Sequence, residues 1–211
     1  MPAVVWVLFG SVIGSVCVGW SERLVVDITS NFPRRRATAR WWRGVGGAFG
    51  GVSGWLVAGI ESVAQAVVVI AVVILTAVQS PIDLQTHRLS RPPTVIATVV
   101  ISIAVVAGTL AADTPRTLLE TSIAALVLAG VYATVHRVSP RSLGWGDVLI
   151  TFPLALAVGF VALDKLLVWQ LLAATSGAMH AAAIRLIHKT PNVPFGPHLL
   201  IGAWAVLVSS V

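Results

Sequence analysis

Two aspartates in this chain stand where a carboxylate is costly to keep. Asp147 follows the glycine-rich stretch Gly144-Trp145-Gly146 and comes just before an apolar run that starts at Leu149. Asp83 stands 64 positions earlier, at the end of another apolar run. An ionisable group at the edge of hydrocarbon costs several kcal/mol unless it is paired, protonated or hydrated. Each aspartate is therefore a candidate functional residue.

The chemistry open to these two residues depends on whether folding brings them together. Two carboxylates within a few ångströms of each other cannot both stay ionised, so the pair holds one shared proton. The ionised member can then take a proton from water while the protonated member polarises a carbonyl, which is peptide-bond hydrolysis of the aspartic-protease kind. The alternative is structural: each aspartate caps a helix or pairs with an arginine such as Arg88 or Arg141. Spacing alone leaves both interpretations open.

The composition indicates the elements that must position the aspartates. About 57% of the residues are hydrophobic and 10% are charged, against roughly 25% charged in soluble domains. The 211 residues predict a single membrane-embedded domain over 1–211, an all-α polytopic bundle of about eight transmembrane spans. The predicted spans are Ala3 to Gly19, two between Gly44 and Ser80 with a turn at Ala58 to Ser62, Thr94 to Ala111, Leu118 to Val135, Leu149 to Ala162, a seventh that ends near Ile184 after a turn at Asp164-Lys165, and His198 to Val211.

The positive charges predict the orientation of these spans. Of the 14 lysines and arginines, the eight-span arrangement puts only Arg116 and Lys165 outside, which the positive-inside rule favours when both termini are non-cytoplasmic. The net charge of +6 then reflects topology, and we expect a lipid bilayer and no nucleic acid as partner. The predicted location is the inner (cytoplasmic) membrane of the cell, with Asp83 and Asp147 both at cytoplasmic ends of spans.

The remaining polar residues predict less. The stretch from Gln79 to Pro93 is expected to form a loop that carries Asp83. His180 lies inside the seventh span, where a hydrogen bond to another helix is its expected role. The histidines have no other ligand-type residues at metal-site spacing, so we expect no metal and no cofactor.

Three short motifs in this order resemble those of the type IV prepilin peptidases, a family of membrane aspartic proteases. They are Ser80-Pro81-Ile82-Asp83-Leu84-Gln85-Thr86-His87-Arg88-Leu89, Gly144-Trp145-Gly146-Asp147-Val148 and Pro194-Phe195-Gly196-Pro197. Members of the family carry an Asp-Leu-x-x-x-x-Leu-Pro loop, a Gly-x-Gly-Asp-x-Lys motif and a late Pro-Phe-Gly-Pro motif. The resemblance covers most of the chain in layout, but its specificity lies in these three motifs.

The resemblance implies an endopeptidase that removes the short basic leader of pilin-like precursors at the cytoplasmic membrane face. Asp83 and Asp147 would be the catalytic pair, and Gly144 and Gly146 would supply a backbone turn. The segment from Pro194 through Phe195 and Gly196 to Pro197 would form a rigid element beside the site. The first predicted cytoplasmic loop is short and has no cysteines, so the methyltransferase domain of many family members is not expected.

Two positions depart from the family pattern. Leu149 stands where the family has lysine, and Ser90 where it has proline. Losing a cation two residues from an acid changes the local charge, so an inactive family member that binds pilin-like precursors or assembly proteins without cutting them is the alternative. A small proton-coupled transporter is a third class, which the absence of an evident repeat with paired broken helices disfavours.

Overall fold

The computed structural model describes residues 3–28, 39–140, 143–188 and 193–210, and all regular secondary structure in these residues is helical. A short 3-10 turn, Leu163–Lys165, separates the sixth and seventh helices. The α-helices are α1 (Ala3–Ile28), α2 (Ala39–Val57), α3 (Val63–Thr86), α4 (Arg91–Ala111), α5 (Pro115–Val138), α6 (Trp145–Ala162), α7 (Leu166–His188) and α8 (Gly196–Val208).

In the described residues, four helical segments are long and apolar enough to cross a membrane. They are Val63–Thr86, Arg91–Ala111, Pro115–Val138 and Trp145–Leu186. The last spans 42 residues, about 60 Å of helix at ~1.5 Å per residue and twice the ~30 Å of a hydrocarbon core. The 3-10 turn interrupts it where the sequence predicts a turn at Asp164-Lys165. The part of the chain that the structure describes is therefore all-helical, and its four long apolar segments indicate a membrane protein.

Helices α1 and α2 pack through glycines that bring their backbones together. A Cβ on Gly50 would overlap the carbonyl oxygen of Gly10, and a Cβ on Gly14 would overlap that of Gly46. Small residues at such positions let helices pack closely in membranes. Close packing matters there because lipid tails are as apolar as the helices, so the hydrophobic effect does not drive the helices together. This helix pair lies against one side of α3.

Helix α3 is the centre of the bundle. It contacts α1, α2, α4, α6 and α8, and its residues from Ala71 to Val73 and from Leu75 to Asp83 are all buried. Helices α7 and α8 are joined by the buried indole of Trp169, whose Nε1 donates to the carbonyl oxygen of Leu199 at 2.9 Å. The core therefore surrounds the segment that carries Asp83.

The expected loop from Gln79 to Pro93 is wrong at both ends. Helix α3 continues through Pro81 to Thr86, and α4 already begins at Arg91, so the connection is limited to four residues, 87–90. A proline inside a helix removes one backbone hydrogen bond, but neighbouring helices and side chains compensate for this in membrane proteins. The tight burial of α3 holds the helix together there, and His87 ends it in the left-handed conformation, with φ of 54°.

Candidate active site

Asp147 lies in the first turn of α6, which begins at Trp145 and not at Leu149. Its Oδ2 accepts a hydrogen bond of 3.1 Å from the backbone N–H of Gly144, the residue that precedes the helix. The preceding segment is fixed by His136, whose Nδ1 lies 2.8 Å from the carbonyl oxygen of Leu143. Asp147 is 7% exposed. The helix-capping alternative is thus realised for this residue, but capping uses only one of its two oxygens.

Asp83 lies in the last turn of α3 and is 5% exposed. The backbone N–H of Gly196, the first residue of α8, lies close enough to its carboxyl group to interact with it. The approach is close: a Cβ on Gly196 would stand 2.7 Å from Oδ2 of Asp83. Each carboxyl group therefore lies against a glycine from a different segment of the chain.

The structure brings the two aspartates together. The charge of the Asp83 carboxyl acts on that of Asp147, and a glycine beside each acid lies against the side chain of Leu89. A Cβ on Gly146, next to Asp147, would lie 2.9 Å from Cβ of Leu89. A Cβ on Gly196, next to Asp83, would lie 3.1 Å from Cδ2 of the same leucine. Leu89 thus fills the space between the two glycine-containing segments.

Ion pairing is not what holds these carboxylates. Within the described ranges, neither Asp83 nor Asp147 forms a salt bridge with a lysine or an arginine, and Arg88 is exposed to solvent. Arg141, the other arginine considered, lies outside the described residues. His87 also acts on Asp83 through charge. Two buried carboxyl groups that act on each other's charge, with no lysine or arginine paired to them in the described ranges, are an arrangement in which sharing a proton removes the repulsion.

The chain turns into α6 at Gly144, whose carbonyl oxygen accepts from the N–H of Asp147 at 3.1 Å, but neither this turn nor Gly146 uses a backbone conformation that only glycine adopts. Gly144 has φ of −72° and ψ of 149°, an extended conformation open to any residue. No glycine among the described residues has a positive φ. The role that the structure gives Gly146 is to leave room for Leu89, and the role it gives Gly144 is to donate its N–H to Asp147.

The late motif lies beside the acidic pair. Pro194, Gly196 and Pro197 are buried, and Phe195 packs against α7, where a Cβ on Gly177 would lie 2.9 Å from its Cε2. The start of α8 is therefore fixed to α7 on one side while its first amide faces Asp83 on the other. This matches the expected position of the segment next to the site.

A chain of hydrogen bonds continues from α8 onto α7. Nδ1 of His180 lies 2.9 Å from Nε2 of His198, and Nδ1 of His198 lies 3.0 Å from Oγ of Ser176. The predicted helix-to-helix hydrogen bond of His180 is confirmed. Among the described residues, no group of three or more histidine, cysteine, aspartate and glutamate side chains is arranged to hold a metal ion.

Sequence reasoning gave no role at the pair to three residues around it. Gln79 lies one helical turn before Asp83 with its amide buried, Leu89 separates the two glycine segments, and Tyr132 of α5 is close enough to Asp147 to interact with its charge. Gln79 carries a signal as a polar residue in an otherwise apolar run, and Leu89 is the second leucine of the first motif, but nothing in the sequence marks Tyr132.

No protein family, no curated protein and no solved structure matches the chain. The resemblance to prepilin peptidases therefore rests on the three motifs themselves. Their meeting at one end of α3, α6 and α8 is what the structure adds to it.

Proposed function

We propose that the chain is an intramembrane aspartic endopeptidase that removes the short basic leader of pilin-like precursors. The observation that carries the proposal is the pairing of Asp83 and Asp147. The two residues are buried on different helices and close to each other, and in the described residues neither makes an ion pair. A structural role for both acids does not require them to approach each other.

In the proposed mechanism the pair holds a single proton. The ionised carboxylate removes a proton from a water molecule, and the oxygen of that water attacks the carbonyl carbon of the scissile peptide bond. The protonated carboxyl group donates its hydrogen to the carbonyl oxygen as negative charge develops there. Transfer of a proton to the leaving nitrogen then breaks the carbon–nitrogen bond and releases a new carboxyl terminus and a new amino terminus.

The glycine amides have a specific part in this mechanism. The N–H of Gly144 donates to Asp147 and the amide of Gly196 interacts with Asp83, and in the proposed mechanism the other oxygen of each aspartate meets water or substrate. Backbone donors are fixed by the helices that carry them, so the carboxylates are oriented before the substrate arrives. This preorganisation is what an irregular segment at membrane depth can supply when it is enclosed by protein.

The proposed topology follows from charge. Eight spans with both termini non-cytoplasmic put both aspartates at the cytoplasmic face of the inner membrane, and they put all lysines and arginines except Arg116 and Lys165 on the same face. A pilin-like precursor presents its basic leader on that side and its hydrophobic segment to the bilayer. The bond between leader and hydrophobic segment would then lie at the depth of the acidic pair.

Co-expression with a leader-bearing precursor tests the proposal. We expect leader removal by the wild-type chain, seen as a size shift on a gel, and loss of cleavage in Asp83→Asn and in Asp147→Asn. Asp164→Asn is the matched control, because this residue lies in the exposed 3-10 turn between α6 and α7. Cleavage that persists without Asp147 refutes the mechanism.

The second candidate is an inactive relative that binds precursors. Leu149 favours it, because this apolar residue stands two positions after Asp147, where the resemblance calls for a lysine. If the wild-type chain cleaves none of several leader-bearing precursors but co-purifies with them through their leaders, binding without cleavage replaces the endopeptidase proposal.

A further inference from the structure

The side chain of Gln79 is completely buried and makes three hydrogen bonds, two to Ser90 in the connection 87–90 and one to Thr94 in the first turns of α4. Its Nε2 donates to the carbonyl oxygen of Ser90 at 2.6 Å and to Oγ1 of Thr94 at 2.8 Å. Its Oε1 accepts from the backbone N–H of Ser90 at 3.0 Å. The amide therefore pairs with both backbone groups of Ser90, as a neighbouring strand would.

A glutamine at this position is costly unless these bonds are made. Gln79 is 0% exposed, and a buried amide without partners is unfavourable by several kcal/mol compared with an apolar side chain. Ser90 is also buried, and its own side chain forms no cap on α4. Without Gln79, the N–H of Ser90 would lose its bond to Oε1 in a place that water does not easily reach, and its C=O would keep only the hydroxyl of Thr94 as a side-chain donor.

The position of this clamp connects it to the acidic pair. Gln79 lies four residues before Asp83, on the same face of α3. Ser90 directly follows Leu89, the side chain that lies between Gly146 and Gly196. The connection 87–90 is only four residues long, so fixing Ser90 also fixes where Leu89 can lie.

We propose that Gln79 is a positioning residue of the candidate active site. Its amide clamps the backbone of Ser90 and so holds Leu89 between the glycine segments that seat Asp147 and Asp83. The effect on cleavage rests on the proposed endopeptidase function. The clamp itself does not, and it can be measured without any substrate.

The first experiment measures the opening of the connection. Ser90→Cys is introduced with Cys17→Ser, which removes the one native cysteine, and the rate of labelling by a membrane-permeant maleimide is followed. The probe keeps the clamp intact, because Gln79 contacts only the backbone of Ser90. Since three hydrogen bonds are lost, we expect Gln79→Leu to raise the labelling rate at least about tenfold.

Matched variants keep this experiment interpretable. Gln65→Leu changes a glutamine near the other end of α3 and should leave the labelling rate unchanged. Thr94→Val removes one acceptor of Gln79 and the hydroxyl that donates to the carbonyl oxygen of Ser90, but it leaves both bonds of Gln79 to the backbone of Ser90. It should raise the rate about threefold, which provides a milder test if Gln79→Leu does not accumulate in the membrane. An unchanged labelling rate in both Gln79→Leu and Thr94→Val overturns the clamp.

The second experiment measures cleavage of a leader-bearing precursor. We expect Gln79→Leu to lower kcat about tenfold while KM stays within about twofold, because the clamp orients the reacting groups and does not bind the leader. Gln79→Glu keeps the acceptor for the N–H of Ser90 and should recover part of kcat, which a role in packing alone does not predict. Equal losses in Gln79→Leu and Gln79→Glu contradict positioning through this hydrogen bond.

The two experiments separate the two proposals. A wild-type chain that cleaves no precursor, together with faster labelling in Gln79→Leu, supports the clamp and refutes the endopeptidase. Cleavage by the wild-type chain, together with unchanged labelling in the clamp variants, supports the endopeptidase and overturns the clamp.

Discussion

The substitution Gly196→Ala perturbs the candidate site at its narrowest point. The new methyl group would stand 2.7 Å from Oδ2 of Asp83 and 3.1 Å from Cδ2 of Leu89. Neither neighbour is free to swing into solvent, because Asp83 is 5% exposed and Leu89 is held against Gly146. The carboxyl group or the first turn of α8 therefore has to move.

The size of this movement sets the expected effect. Ordinary contact with a Cβ begins near 3.4 Å, so the carboxylate oxygen and the helix must separate by about 0.7 Å. A misplacement of about 1 Å in a catalytic arrangement costs on the order of 100-fold in rate. We therefore expect kcat for leader removal to fall about 10- to 50-fold, together with a loss of ~1–3 kcal/mol in folding stability from overpacking.

The assay is a time course of leader removal at saturating precursor, with the amount of each variant in the membrane measured in parallel. Gly130→Ala on α5 is the control, since a Cβ there meets nothing within 4 Å. Gly144→Ala is the intermediate case, because its Cβ would lie 3.2 Å from Oδ2 of Asp147, and we expect a loss of about threefold. Wild-type kcat in Gly196→Ala at wild-type abundance refutes the proposed seating of Asp83.

Three further predictions concern stability and charge. Gly50→Ala places a Cβ on a carbonyl oxygen of α1 and should destabilise the chain by ~1–3 kcal/mol, seen as a lower midpoint of thermal unfolding in detergent. Gly44→Ala, whose Cβ meets nothing within 4 Å, should leave the midpoint unchanged. Equal midpoints for the two variants contradict the close packing of α1 and α2. Trp169→Phe loses the 2.9 Å hydrogen bond to α8 and buried volume, so it should cost ~2–3 kcal/mol; an unchanged midpoint in the same assay is the opposing result. Leu149→Lys supplies a cation near Asp147 at a position 37% exposed, where such an interaction is worth about 1 kcal/mol. We therefore expect leader removal to become about fivefold faster. A slower rate contradicts the idea that the missing cation limits activity.

The positions of several turns could be predicted from the sequence because charged side chains are excluded from the hydrocarbon core of a membrane. Asp164 and Lys165 mark the interruption between α6 and α7, and Glu61 lies in the exposed turn between α2 and α3. The approach of Asp83 to Asp147 was one of two open interpretations, since both acids were expected at cytoplasmic ends of spans. In each of these cases the prediction needs only the charge of a single residue and its position relative to the apolar runs.

The course of the chain around Asp83 could not be predicted in the same way. Pro81 indicates a helix end when only local rules are applied, yet α3 continues because α1, α4, α6 and α8 enclose it. The roles of Gln79 and Leu89 depend on where the connection 87–90 lies in three dimensions. Nothing in the one-dimensional pattern states that a buried amide will pair with a backbone eleven residues away.

The glycines of the two site motifs show how a sequence signal can be correct for the wrong reason. Glycines beside an acid at a helix start suggest an unusual backbone, yet Gly144 is in an ordinary extended conformation, and Gly196 and Gly146 matter because a side chain there would meet Asp83 or Leu89. A wider opening at either glycine would move the two carboxyl groups apart and weaken the repulsion that makes them share a proton. In the proposed mechanism, close packing of backbone against Leu89 thus keeps the two carboxyl groups near enough to share a proton. Substitutions that add volume at Gly146 or Gly196 should therefore impair cleavage more than substitutions that remove charge from the surrounding loops.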